Sequence, residues 1–162
     1  MACYRSENCP LDFSYHDSEW KLIVAADGEA TLGVKRLNLC ADAPQNPFDT
    51  DMELKDARVF LRGFRAVRDT YYDLVPESGS AELRTESGEL TGAEAEARLW
   101  ADAQFGLCLK SLEPLGENRF ALAGTGEVQF FEAEVCCDAL AVEWEDYVGP
   151  AWYEKRREAE SN

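Results

Sequence analysis

Residues 127–153, EVQFFEAEVCCDALAVEWEDYVGPAWY, decide how the chain is read. Val128 and Phe130 alternate with Glu127 and Gln129, and a one-residue bulge at Phe130–Phe131 brings Phe131, Ala133 and Val135 into phase against Glu132 and Glu134. That is the pattern of a half-buried strand. Asp138 interrupts it, and Leu140, Val142 and Trp144 then alternate with Ala141, Glu143 and Glu145. The connection is short, so the two segments are expected to form an antiparallel hairpin. From Glu127 to Asp146 there are seven carboxylates and no Lys or Arg, so these side chains must face water, a metal or a cationic partner.

Working outward, Gly124-Thr125-Gly126 leads into this stretch from RFALAG, where Phe120 and Leu122 share a face. Further upstream, every odd position from Ala93 to Leu109 is apolar, the period of a strand, while Thr91-Gly92-Ala93-Glu94 matches a capping box ahead of an alanine-rich run. The compromise is a helical turn or two before Arg98 and a strand from Leu99 to Lys110. Between Met52 and Tyr72, Ala57, Val59 and Leu61 alternate with Arg58, Phe60 and Arg62, favouring strand over helix. A strand there would set Arg58, Arg62, Arg65 and Arg68 against the acidic segments. PESGSAELRTESGEL after it reads as a long loop or weak hairpin.

Nearer the N-terminus, Leu11, Phe13 and Tyr15, then Trp20, Leu22 and Val24, then Ala30, Leu32 and Val34 mark three strands, the last two joined by the turn dipeptide Asp27-Gly28. CADAPQNPFDTD is loop composition, and Gly149-Pro150 introduces a short C-terminal helix in which Arg156 and Glu160 sit at ion-pair spacing. The expected fold is mainly β, a β-sandwich or curved antiparallel sheet with one or two short helices including the C-terminal one, with α+β as the alternative. At 162 residues and 18.1 kDa, with no repeat and no linker, one domain spanning 1–162 is expected.

Thirty-two acidic residues against 16 basic ones give a net charge of −16 and a pI near 4.4, which disfavours nucleic acid and anionic membrane as partners and favours a basic protein. MACYRSENCPLDF has neither the basic nor the apolar region of an export signal, so a cytoplasmic location with six reduced cysteines is expected. His16 is the one histidine, with Asp17 and Glu19 beside it to orient a proton relay, but a surface position at a strand end is the commoner identity of such a residue. Cys3, Cys9 and His16 lack zinc spacing, and Cys136 and Cys137 point to opposite faces of a strand, one of them into the core. Asp49, Asp51 and Glu53 have spacing that can wrap calcium, without the glycine and distal glutamate of an EF-hand loop. No catalytic residue, metal ligand or cofactor is assigned from this sequence.

EWEDYVGPAWYE mixes Trp144, Tyr147, Trp152 and Tyr153 with Glu143, Glu145, Asp146 and Glu154, and not all of these rings fit a small core alongside so many acids. Rings flanked by negative charge suit anchoring on a basic protein surface. In size, charge and lack of catalytic signature the chain resembles the small acidic bacterial immunity proteins that bind and block a cationic toxin, often a nuclease. The resemblance implies a partner-binding face made of Glu132, Glu134, Glu143, Trp144, Glu145, Asp146, Tyr147 and Trp152, with the tryptophans and Tyr147 as anchors. Two other classes stay open: a small enzyme or ligand-binding sandwich using His16 and carboxylates or the Arg58–Arg68 cluster, and a structural module of a larger assembly of unknown oligomeric state.

Overall fold

A computed structural model describes residues 4–126 and 129–161 of the chain. In chain order it contains β1 (Tyr4–Glu7), β2 (Phe13–Ser14), β3 (Ser18–Ala26), β4 (Glu29–Lys35), β5 (Asn38–Leu39), β6 (Met52–Lys55), β7 (Ala57–Arg62), β8 (Arg65–Pro76) and β9 (Leu83–Thr91). Helix α1 (Gly92–Phe105) follows, then β10 (Leu107–Gly116), β11 (Arg119–Thr125), β12 (Gln129–Cys136), β13 (Ala139–Trp144), β14 (Asp146–Pro150) and α2 (Trp152–Ser161). The large sheet has the order β1-β13-β7-β4-β3-β10-β11-β12-β8-β9, and a smaller one the order β14-β6-β5-β2. The expectation of a mainly β, curved antiparallel sheet with two helices, one of them C-terminal, is met.

The expected hairpin between the two halves of the 127–153 stretch does not form. β12 pairs with β11 and β8, whereas β13 pairs with β1 and β7. The chain turns a corner at Cys137–Asp138 instead of reversing, and β7 runs into β8 across Gly63–Phe64 at the same corner, where Asp138 N–H donates to Arg62 O at 2.9 Å. Two bent ribbons, β7–β8 and β12–β13, thus lie antiparallel along their whole length, Leu61 opposite Leu140 on one side of the bend and Arg68 opposite Glu134 on the other. Because these ribbons sit at separate places in the strand order, their pairing curls the sheet round on itself. Gly63 permits the bend: its φ is +64°, and a Cβ there would collide with the Asp138 carboxylate. The corner resembles a hairpin in sequence because its connection is equally short, and only the far partners distinguish them.

Trp20, Leu32, Val59, Leu109, Phe131, Val135 and Val142 point into the curl and form its core. α1 packs across β8 and β3, burying Ala95, Leu99 and Ala103 at helical spacing. The strand expected over Leu99–Lys110 therefore begins only at Leu107. An alternation built of alanine fits a helix equally well, and tertiary burial of every fourth residue decides it. Thr91 precedes the helix in an extended conformation without making the capping-box bond, and Gly106 closes it, its N–H donating to Asp102 O at 3.0 Å. The serine- and glycine-rich segment forms the weak hairpin alternative, β8–β9, in which β9 is an exposed edge. Pro150 ends β14 rather than opening the helix, which starts at Trp152 and carries the Arg156–Glu160 pair at 3.4 Å.

Candidate functional site

The curl separates the eight residues expected to form one face. Glu132 and Glu134 lie on β12, on the outer surface of the β10–β11–β12–β8–β9 half, while residues 143–152 belong to β13, β14 and the start of α2. Trp144 cannot be an anchor, because it is fully buried, stacked on Tyr4 with centroids 5.4 Å apart and edge-on to Phe13 at 6.1 Å. An indole that large contributes about 3–5 kcal/mol when it fills a core, and the inward phase of β13 puts it there. Tyr147 is half-buried against Tyr4 and Phe48, its hydroxyl donating to Gln45 O at 2.9 Å. It holds the 40–51 loop instead of presenting a bare ring.

Three of the carboxylates are occupied within the chain. Glu134 is buried between Arg119 and Arg68, the latter at 3.5 Å. Glu143 pairs with Arg5. Asp146 Oδ1 accepts the Tyr147 N–H at 2.8 Å, although the residue is exposed. Glu145 is half-buried, and Trp152 is exposed, edge-on to Tyr153. Of the eight, Glu132 is the exposed carboxylate that carries neither an ion pair nor a hydrogen bond among the described residues.

A ring-and-acid face does exist, centred on Phe130, which the expected bulge would have turned inward. The β12 register is unbroken from Gln129 opposite Asp73 to Glu134 opposite Arg68, so no bulge occurs at Phe130–Phe131; the irregularity falls at Glu134/Val135. With strict alternation Phe131 points inward and Phe130 outward, 48% exposed. Tyr72 stands directly opposite it on β8, 36% exposed, and Leu74 continues the same face. In the next row Glu132 lies opposite Thr70, which in turn faces Glu89 of β9, and Glu113 lies on β10 one row beyond. Ala121 and Ala123 of β11 keep the surface between them flat. Lys110 Nζ lies 5.4 Å from the Phe130 ring centroid and Arg68 edges the face, so the patch is acidic with a basic border. The signal in the sequence is the plain alternation of Gln129 through Val135, without the bulge.

Beneath α1 lies a second cluster. Asp69 of β8 is fully buried, and neither carboxylate oxygen has a hydrogen-bond partner. Arg98 of α1 bonds Asp73 and Gln129 instead, its Nε donating to Gln129 Oε1 at 2.8 Å while its guanidinium stacks 4.0 Å from the Tyr71 ring centroid. Desolvation pushes the Asp69 carboxyl up to about 6; Arg98 opposes this, and Asp102 and Asp73 reinforce it.

The other candidates are held elsewhere. His16 is exposed, its Nδ1 3.2 Å from Lys110 O and its Nε2 3.5 Å from Asp17 Oδ2. Asp51 is engaged by the Ala41 N–H at 2.7 Å and the Tyr153 hydroxyl at 2.6 Å, which ties the loop to α2. Among the described residues no group of three or more His, Cys, Asp or Glu side chains is placed to hold a metal ion. Cys137 is buried and Cys40 half-buried, and desolvation raises both thiols, Cys40 to about 11, so both are protonated and poorly nucleophilic at neutral pH. Cys3, Glu127 and Val128, which enter the sequence reading, lie outside the described residues. The four arginines do not converge: they are strung along the bent β7–β8 ribbon, with Arg58 opposite Glu143, Arg65 3.9 Å from Asp138 and Arg68 against Glu134. No helix among the described residues is long and apolar enough to cross a membrane.

Comparison with known proteins finds no match: no family model fits the chain, and neither a curated protein nor a solved structure matches it.

Proposed function

We propose that this is an acidic binding protein that docks on a cationic protein through the outer face of β8 and β12, acting in the cytoplasm as an immunity-type inhibitor that covers a basic surface of a toxin. The observation that carries this reading is the exposed pair Phe130 and Tyr72, side by side on a flat sheet face with Glu132 and Glu89 in the adjoining row. Exposed aromatic rings supply contact area at small conformational cost, and exposed carboxylates beside them steer a basic partner and fix its register. The net charge of −16 supplies the long-range attraction. The role is binding rather than catalysis, and it needs no cofactor, metal or nucleic acid.

The test uses the immobilised chain as bait for proteins of its own source cell, with the partner then studied by surface plasmon resonance. The association rate is expected to fall by at least about tenfold between low and physiological salt. Phe130→Ala is expected to speed dissociation and Glu132→Lys to slow association. A partner whose rates ignore both ionic strength and these two substitutions refutes the reading.

A further inference from the structure

The inside of the curled sheet holds a space that docking does not use. It measures about 60 Å³ and is bounded by Trp20, Leu109, Leu112, Leu122 and Val135 of the sheet and by Leu99 of α1. A water molecule confined there would need two to four polar partners. The polar atoms nearby are already engaged: Trp20 Nε1 donates to Ser18 Oγ at 2.7 Å, and the Cys137 thiol is turned to Ala139 O at 2.9 Å. Such a space stays dry and accepts apolar matter, as apolar cavities of known proteins do.

One wall of the space is a pair of rings. Phe64 and Trp100 pack ring on ring with centroids 4.6 Å apart, and both line the interior as well as a surface depression beside Gly28 and Glu96. Trp100 is half-buried and sits on α1, so its ring separates the depression from the interior. We propose that the interior of the curl is a binding site for a small uncharged apolar group, such as the end of an alkyl chain. The class follows from the lining: nothing in it can compensate a charge or orient a hydrogen-bonding ligand, and close apolar contact supplies the whole attraction.

Xenon tests the site. Under increasing xenon pressure, methyl NMR signals of Leu109, Leu112, Leu122 and Val135 are expected to shift along a saturating curve, while Leu37, buried beyond the site, does not respond. Leu122→Phe and, independently, Leu112→Phe fill the space and are expected to weaken xenon binding by about tenfold or more. Shifts that rise linearly with pressure, or that persist in both filled variants with native circular dichroism, overturn the site.

Discussion

Replacing Asp69 by asparagine should make the protein more stable, not less. The carboxyl is sealed under α1 with both oxygens unpartnered, and its pKa rises from 3.8 to about 6 chiefly through desolvation. The folded chain therefore holds this proton more tightly than the unfolded chain between about pH 4 and 6, and linkage makes stability fall as pH climbs through that window. Below it Asp69 is neutral in both states and costs nothing extra. Above it the ionised group burdens the fold by the whole gap between 3.8 and about 6, which corresponds to about 3 kcal/mol. An asparagine side chain cannot ionise but still buries an amide, which takes back about 1 kcal/mol, leaving a net gain of about 2 kcal/mol at a pH of about 7.5. Urea melts followed by tryptophan fluorescence from about pH 4 to 8, compared variant against parent, cancel the titration of the other carboxylates. The variant should be less stable than the parent by about 1 kcal/mol at the acid end, where only the buried amide counts, and reach the full gain by neutral pH. A variant less stable than the parent at neutral pH, or a difference that ignores pH, refutes the picture of a buried unsatisfied charge.

Two further substitutions probe the corner and the core. Gly63→Ala forces a left-handed backbone on a residue with a side chain and drives its Cβ into Asp138, so a loss of at least about 2 kcal/mol is expected from the same urea melts. Trp144→Ala empties a fully buried site and should cost about 3–5 kcal/mol, while the folded fraction keeps its partner affinity; a variant of normal stability that fails to bind would restore Trp144 as an anchor.

Many of the strands were legible from period-two alternation, though not β1 or β14, and the turn at Asp27-Gly28 falls where β3 gives way to β4, with Ala26 opposite Glu29. What the pattern could not show was partnership. A corner at Cys137–Asp138 and a hairpin require the same short, polar connection, and the difference lies in Arg62, far back in the chain, whose carbonyl takes the Asp138 N–H. Requiring every large apolar residue to face inward demands a bulge and misplaces Phe130; unbroken alternation puts it outside. Leu99 to Phe105 were ambiguous because alanine at every second position satisfies both periods, and packing on β8 and β3 settled the matter. The acidity of the chain was plain, yet which carboxylates are spoken for was not: Arg119 reaches Glu134, and Arg5 reaches Glu143 across a strand pair that sequence spacing does not reveal.

The most direct measurement is site-specific photocrosslinking in the source cell, with p-benzoyl-phenylalanine placed at Glu132 and, as a control, at Val148, which is likewise exposed but lies on β14 of the smaller sheet. A single adduct with one basic protein at position 132, absent at position 148 and diminished by high salt during illumination, is the predicted result. No adduct at 132, or the same adducts at both positions, would contradict a docking role for this face.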